Sequence, residues 1–394
     1  PTKPVDMDGV SAGRAALAIS RAGQAGNTDG ITHGVDVLDL CAIAIIDRQL
    51  ATAVGFQPQG LQAHPVGIAR AAVGPEQRIG AQFLAGFKIQ RDAVVIGGSY
   101  AGLSAAMQIA RARRSVCVID TGEPRNRFAD ASHGFLGQDG AAPESMIATA
   151  RDQLAAYPTV RMIAHMACDA TRVDGGFEVT LASGGALTGR KLVLAFGISD
   201  VLPDVPGLCE RWGDSVLHCP YCHGYEHRDG RLGVLWTAPL SAHQAALIAD
   251  WGATTLYLDG NSLPEGDART LLEQRGVSIE TASIKELRGK DRTLTSLLLG
   301  DGREAAIDAL FLAPGSKLNS PIAERLGCAL DDGPFGPIIR TDAAQLTSVP
   351  GVYAAGDIAR APHNATWASA DGVTAGISLH QSLVFEAPMA GAAA

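Results

Sequence analysis

The sequence has 394 residues, of which 46% are hydrophobic and 19% are charged, and its formal net charge is -9. This length suits two or three globular domains, and the acidic balance argues against a nucleic-acid partner, because phosphate binding needs a basic patch. No apolar run approaches the roughly 20 residues that span a bilayer, and the N-terminus lacks a secretory signal pattern. We therefore expect no membrane partner and a cytoplasmic location.

Residues 1–90 are difficult to assign to a structural class. They show no sustained hydrophobic period and contain only three aromatic residues, Phe56, Phe83 and Phe87. We interpret them as an N-terminal extension that is poorly ordered or loosely attached. The alternative is a functional domain of its own.

The pattern changes abruptly at Arg91. Hydrophobic periodicity predicts a strand over 92–96, a glycine-rich turn, an amphipathic helix over about 101–113 and a second strand over 115–120. A βαβ unit of this kind is typical of a parallel sheet.

A second βαβ unit lies further along the chain. It is predicted over residues 231–236, 241–252 and 254–259, and a hairpin is predicted to turn at Gly300-Asp301-Gly302. Further strands are predicted within 308–315 and 350–359. This alternation predicts an α/β protein with two Rossmann-like, doubly wound domains.

The first glycine loop carries a dinucleotide-binding pattern. Gly97, Gly98 and Gly102 lie between the predicted strand and helix, and Asp120 ends the next strand. Such a loop turns backbone N–H groups and a helix N-terminus toward a pyrophosphate, while the acid bonds a ribose hydroxyl. Ser99 replaces the middle glycine of the usual G-x-G-x-x-G pattern. We predict dinucleotide binding, the alternative being a tight turn that only packs the helix on the strand.

The corresponding loop of the second unit has lost this pattern. Its sequence, WTAPLSA over 236–242, contains no glycine, Pro239 lacks an N–H group and Trp236 is bulky. Asp259, at the end of the following strand, would repel a 2′-phosphate. The sequence therefore argues against a phosphate site for NADPH, while leaving NADPH open as an electron donor.

Two of the seven cysteines stand apart from the others. Cys219 and Cys222 lie in HCPYCHGYE, where Pro220 suits the first turn of a helix and His223 follows the second sulfur. A Cys-x-x-Cys pair at a helix start can close a disulfide and stabilise a thiolate, and a histidine beside it can act as acid or base. We favour a redox dithiol. The alternatives are half of a zinc site, a glutaredoxin-like module and a pair of inert buried cysteines; we predict no metal site.

Taken in order, VVIGGSYAG, Asp120, HCPYC and GVYAAGD resemble the low-molecular-weight thioredoxin reductase family of FAD disulfide oxidoreductases, over about residues 91–387. The resemblance implies a homodimer that binds FAD. The cofactor-binding positions that it implies are Gly97, Gly98, Ser99, Tyr100, Ala101, Gly102, Asp120, Gly197 of LAFG, Gly356 and Asp357.

The resemblance also implies how the chain is divided. An FAD-binding domain over 91–205 and 306–388 would be split by a smaller NAD(P)H-type domain over 206–305, which carries the Cys-x-x-Cys motif. Residues 1–90 would be the extension and 389–394 a tail.

Two departures from the family bear on function. His223 stands where the reductases usually have an aspartate, and the second glycine-rich loop and its basic patch are missing. Both features, with CPYCHGYE itself, are similar to a branch of dithiol oxidases that close disulfides in natural products such as gliotoxin and holomycin. Those enzymes pass electrons from a dithiol through Cys-x-x-Cys to FAD and then to O2.

The resemblance assigns a role to each residue of the motif. Cys219 would be the outer interchange thiol, Cys222 the sulfur that faces the flavin, and His223 the proton carrier. Secondary candidates are His363 and His133 near the flavin edge, and Arg125 and Arg127 on the FAD phosphate or adenine.

Three functions remain open at this point. The first is a disulfide reductase that uses NADPH or another donor, and the second is a dithiol oxidase that uses O2. The third is a flavin-binding redox sensor without turnover. For either enzyme, the expected partner is a dithiol or disulfide in a small protein or a small molecule.

Overall fold

A computed structural model describes residues 90–385, which contain nineteen strands and seven α-helices. The strands are β1 (Gln90–Ile96), β2 (Val116–Asp120), β3 (Val160–Ala164), β4 (Ala167–Val173), β5 (Gly176–Leu181), β6 (Ala186–Leu194), β7 (Ile198–Val201), β8 (Val216–Leu217), β9 (Arg231–Leu235), β10 (Ala253–Tyr257), β11 (Ser278–Glu280), β12 (Ile284–Lys290), β13 (Thr293–Leu299), β14 (Glu304–Ala306), β15 (Ala309–Phe311), β16 (Gly315–Leu318), β17 (Leu330–Gly333), β18 (Gly336–Ile339) and β19 (Val352–Ala354). The helices are α1 (Tyr100–Arg111), α2 (Pro143–Ala155), α3 (Pro220–His223), α4 (Leu240–Ile248), α5 (Gly266–Gln274), α6 (Ile322–Arg325) and α7 (Ala365–Phe385). Among residues 90–385, no helix combines the length and the apolar character that crossing a bilayer would require.

The predicted extension lies outside the described residues, except for Gln90, which begins β1. The predicted tail over 389–394 also lies outside them.

The first sheet confirms the predicted βαβ unit. Its strand order is β3-β2-β1-β6-β5-β4, and β19 pairs with β6. β1 is parallel to both β2 and β6, and the connection from β1 to β2 runs through α1. Along β1, Ala93 and Val95 face one buried cluster while Val94 and Ile96 face the other. This continuous apolar run is therefore a central strand that is covered on both faces.

The last helix of the described chain packs closely on the first. A Cβ atom at Gly372 of α7 would lie 2.1 Å from the Ala101 carbonyl oxygen, and one at Gly376 would lie 2.5 Å from that of Ala105. Two glycines one turn apart therefore let the backbones of α1 and α7 approach directly. A Cβ at Gly356 would likewise meet the Ala101 Cβ at 2.9 Å. This packing brings the Gly-Asp turn beside the first glycine loop.

The second sheet has the order β11-β10-β9-β15-β8, with every pair parallel. It confirms the second βαβ unit, formed by β9, α4 and β10. A separate antiparallel sheet of β12, β13 and β14 covers one side. Its β13–β14 pair, in which Leu298 faces Glu304, confirms the predicted hairpin at 300–302.

The return from the second domain to the first lies later than predicted. The boundary at 305/306 assigned Ala309–Phe311 to the first domain, but β15 pairs with β8 and β9 of the second sheet. Because all three of its residues are fully buried, this strand can only be a central one. The antiparallel pair β7–β16 connects the two parts. We define the first domain as residues 90–197 and 319–385, and the inserted domain as 202–314.

The two domains touch through a turn of the inserted domain. Arg292, between β12 and β13, donates to the Asp130 carboxylate at 3.2 Å and to the Phe128 carbonyl oxygen. A Cβ at Gly213 would lie 2.7 Å from the Phe128 Cβ, so the backbone of the inserted domain packs directly on this side chain.

Candidate active site

The predicted site residues converge on one cavity of about 590 Å³ between the two domains. Its lining includes Gly97, Gly98, Ser99, Tyr100, Ala101, Asp120, Gly197, Cys219, Cys222, His223, Gly356 and Asp357. Gly102 is the exception among the predicted positions. It lies buried in α1, where a Cβ would fall 1.8 Å from the Gly97 carbonyl oxygen, so its place is to allow helix and loop to pack.

The first glycine loop is built to bring backbone close to a ligand. Gly97 has a φ of +110°, and a Cβ there would lie 2.1 Å from the Ala195 carbonyl oxygen; one at Gly98 would lie 2.7 Å from the Asp120 Cβ. α1 begins directly after the loop, and no side chain among the described residues caps it. Its first-turn N–H groups are thus left for an anion. The loop therefore fits the pyrophosphate of FAD.

Asp120 is held in place by three donors. Its carboxylate accepts hydrogen bonds from the backbone N–H groups of Gly98 at 2.8 Å and Gly122 at 3.1 Å, and from Arg151 of α2. A carboxylate offers about four acceptor sites, so one remains for a ribose hydroxyl. Sequence reasoning missed Arg151, because no motif marks it and it comes from a separate helix.

Arg125 joins two acids that are far apart in sequence. Its Nε donates to Asp200 of β7 at 3.0 Å, and its Nη1 donates to Asp357 at 2.9 Å. Burial alone would lower the pKa of the guanidinium, but the hydrogen bonds and charges of both carboxylates raise it above its ordinary value. Arg125 therefore fixes the Gly-Asp turn to the interdomain strand. Arg127 lines the cavity too, where it donates to the Pro124 carbonyl oxygen at 3.0 Å.

The two cysteines form a disulfide pair with their Cα atoms 5.3 Å apart. Cys219 is the N-cap of the short helix α3, with Pro220 in its first turn, and the Cys222 N–H donates to the Cys219 sulfur at 3.2 Å. After reduction this N–H favours a thiolate on Cys219, because hydrogen bonds to an ionised acceptor are the stronger ones. Within residues 90–385, no cluster of three or more His, Cys, Asp or Glu side chains is arranged to hold a metal ion.

His223 follows the dithiol and faces a polar loop of the first domain. Burial lowers its pKa to about 4, and nearby His227 and His133 act in the same direction, while Glu226 opposes them. His133 lies between Asp139, at 3.5 Å, and Glu226, at 3.6 Å. His223 is therefore neutral at pH 7 and is able to accept a proton.

A second pair of histidines lies on the other side of the dithiol motif. His218, which precedes Cys219, has its ring centroid 6.2 Å from that of His363. Phe335 contacts both rings, at 5.8 and 5.7 Å between centroids. Both histidines line the cavity. We call His218 and His363 the inner histidine pair; sequence reasoning singled out His363 but not His218.

Burial lowers the pKa of His218 to about 4 from an ordinary value of 6.5, and Arg125 acts in the same direction. The unfolded chain therefore takes up this proton first as the pH falls, so the contribution of neutral His218 to stability is present above pH 6.5 and is lost toward pH 4. A shift of this size corresponds to about 3 kcal/mol.

We expect the free energy of unfolding of His218→Asn protein to fall less than that of the wild type between pH 7.5 and 4.5, by up to about 3 kcal/mol. Urea unfolding at both pH values measures this difference. The exposed His243→Asn variant should follow the wild type. A difference between wild type and His218→Asn that does not change with pH would contradict the assignment.

In the second βαβ unit, the loop between β9 and α4 hydrogen-bonds its own backbone N–H groups. The Ser241 hydroxyl oxygen accepts from the N–H groups of Thr237 at 3.0 Å and Ala238 at 3.3 Å. The Thr237 hydroxyl donates to the Ala313 carbonyl oxygen at 2.8 Å. Asp259 accepts from the Ile284 N–H at 2.8 Å. The N–H groups of Thr237 and Ala238 are thus engaged within the inserted domain and not turned toward a phosphate.

Comparison with known proteins decides the family. Residues 91–372 match the model of the pyridine nucleotide-disulphide oxidoreductase family. The chain belongs to this family. This oxidoreductase is 37% identical over 278 residues to thioredoxin reductase tcpT of Claviceps purpurea, which covers 68% of the chain and 86% of the relative. It is 31% identical to thioredoxin reductase sirT of Leptosphaeria maculans, which covers 72% and 92%.

Solved structures agree with this assignment. The oxidoreductase is similar to an oxidoreductase from Agrobacterium tumefaciens, with 44% identity, a TM-score of 0.73 and coverage of 76% of this chain and 100% of the other. It is similar to HlmI with 37% identity and a TM-score of 0.72, covering 76% and 95%. The predicted family, the α/β fold with Rossmann-like domains and the enzyme class are confirmed: the protein is a thioredoxin reductase-like, FAD-dependent disulfide oxidoreductase.

Proposed function

We propose that this oxidoreductase is a dithiol oxidase, which forms a disulfide in a small molecule and passes the electrons to O2. The observation that carries the proposal is that the loop over 237–241 hydrogen-bonds its own backbone N–H groups. Because Ser241 takes the N–H groups of Thr237 and Ala238, this loop offers an NADPH phosphate little binding energy. The dithiol substrate must then supply the electrons. The cytoplasmic location and the homodimer stay predictions.

The first domain would bind FAD, and the inserted domain supplies the dithiol that reacts with the substrate. The first glycine loop, Asp120, Gly197 and the Gly356–Asp357 turn would hold FAD, which when bound accepts an electron pair and delivers it to O2. Cys219, as the sulfur with a backbone donor, exchanges with the substrate sulfur. The new disulfide leaves as Cys219 and Cys222 become thiols. His223, neutral at pH 7, holds a proton released during this exchange.

Anaerobic reduction of the bound flavin tests the direction of electron flow. We expect dithiothreitol to bleach the flavin absorption band within a single turnover, and one equivalent of H2O2 to form when air is readmitted. An equal concentration of NADPH should leave the band unchanged over the same time. Rapid bleaching by NADPH, followed by reduction of a disulfide substrate, would instead identify a reductase. Bleaching by neither reagent would indicate a sensor without turnover.

A further inference from the structure

Oxidation of a dithiol moves protons as well as electrons. Two S–H bonds of the substrate break and one S–S bond forms, while two electrons and two protons end on O2 as H2O2. The enzyme disulfide Cys219–Cys222 opens and closes once in each cycle. While the electron pair leaves the enzyme dithiol, its protons need acceptors in the site. His223 can hold one of them, which leaves one proton for the reduced flavin or for another group of the site.

Several titratable groups that line the cavity are already engaged. The carboxylates are each paired with an arginine: Asp120 with Arg151, and both Asp200 and Asp357 with Arg125. The histidines have other neighbours: His133 contacts Asp139 and Glu226, and His165 accepts a hydrogen bond from the Met166 N–H. To accept a proton at the contacted atom, the three aspartates and His165 would have to give up an existing contact, whereas His133 lies beside His223, on the other side of the dithiol motif.

The inner histidine pair is different because each ring keeps a free nitrogen. The Nδ1 atoms of His218 and His363 are buried and have no hydrogen-bond partner among the described residues. A backbone carbonyl accepts a hydrogen bond from each ring, that of Leu312 for His218 and that of Arg360 for His363. Each ring thus offers a buried nitrogen, Nδ1, that engages no group of the described chain.

The surroundings keep this pair neutral until a negative charge forms nearby. Burial disfavours an imidazolium on either ring, Arg125 adds to that effect, and Asp200 opposes it for both rings. Asp357 also opposes it at His363, and each histidine would repel a charge on the other. A thiolate in the same cavity would favour the charged ring, because the proton then moves between neighbours and leaves an ion pair.

We propose that His218 and His363 act as a proton-accepting pair for the reduced Cys219–Cys222 dithiol, holding one proton while the electron pair leaves. This proposal rests on the proposed oxidase function, because an oxidase must remove protons from the reduced dithiol in each cycle. Of the two protons of the enzyme dithiol, one goes to His223 and the other to the inner histidine pair. Both protons end on the peroxide. Phe335 packs against both rings and holds them side by side.

The test measures the acidity of the dithiol rather than turnover. FAD-loaded protein is reduced anaerobically and alkylated with iodoacetamide between pH 5 and 10, and the 219–222 peptide is followed by mass spectrometry. We expect the wild-type dithiol to react with an apparent pKa below the ordinary cysteine value of about 8.5. In the His218→Asn/His363→Asn double variant, this value should rise by about one unit or more. Asparagine can hydrogen-bond near the Nδ1 position but cannot store a proton.

The control is His243→Asn, which alters an exposed histidine of α4 outside the cavity lining and should leave the alkylation profile unchanged. A folded, yellow double variant with the profile of this control would overturn the proposal. If the double variant does not fold, the two single variants replace it, and the absence of a shift in both has the same meaning. Peroxide is not measured, so failure here is distinct from failure of the oxidase assignment.

Discussion

Cys222→Ser protein should stay yellow when it is mixed anaerobically with dithiothreitol, whereas the wild type bleaches. Cys222 lies in the disulfide pair and lines the same cavity as the glycine loop and the Gly-Asp turn. Serine cannot close a disulfide, so the substrate has no S–S bond to exchange with. We expect the bleaching rate to fall roughly a thousand-fold or more, as for other removals of a reacting side chain. Stopped-flow absorbance of the flavin measures it.

Cys209→Ser is the matched control, because Cys209 is a free, exposed cysteine of the inserted domain outside the cavity lining. Its bleaching rate should equal that of the wild type. Unchanged bleaching of Cys222→Ser would show that the dithiol motif does not carry the electrons, and would leave the substrate to react with the flavin directly.

Gly97→Ala should yield protein that has lost most of its affinity for FAD. The new methyl group would lie 2.1 Å from the Ala195 carbonyl oxygen, which is backbone of the neighbouring strand end and has little room to move. The φ of +110° adds strain for any residue with a Cβ. We expect the free energy of FAD binding to weaken by at least about 3 kcal/mol. This corresponds to a rise of more than a hundredfold in the dissociation constant. Fluorescence titration of the apoprotein with FAD measures this constant.

Gly327→Ala separates the collision from the backbone strain. Gly327 also has a positive φ, +83°, but a Cβ there would meet no atom within 4 Å. It lies after α6, outside the cavity lining. Its substitution should cost about 1–2 kcal/mol of stability and leave FAD binding intact. Equal FAD affinity in the two variants would refute the role given to the loop.

The parts of the site that sequence predicted are those in which local pattern and local structure coincide. β1, the glycine loop, α1 and Asp120 follow one another within about thirty residues. The hydrophobic periodicity predicts the strand and the helix, and the glycines and Asp120 form a recognisable motif. The Cys-x-x-Cys motif was recognisable for the same reason. The family match over 91–372 extends this local evidence to most of the described chain.

The remaining contacts depend on long-range folding. Arg125 meets residues 75 and 232 positions away, and neither pairing leaves a mark in the local sequence. His218 gains its environment from Phe335 and His363, which come from other segments. The boundary error at β15 has a related cause: three buried residues suit a central strand of either sheet, and only the tertiary pairing decides between them.

The close packing of α1 on α7 also orders events on the ribosome. The first glycine loop emerges early, but the helix that packs against it begins more than 250 residues later, at Ala365. During synthesis, the face of α1 that carries Ala101 and Ala105 therefore stays uncovered until α7 has been made, whereas the inserted domain has all its strands earlier. Cofactor loading should thus follow the synthesis of α7, and a ribosome stalled before Ala365 should carry a chain that does not retain FAD.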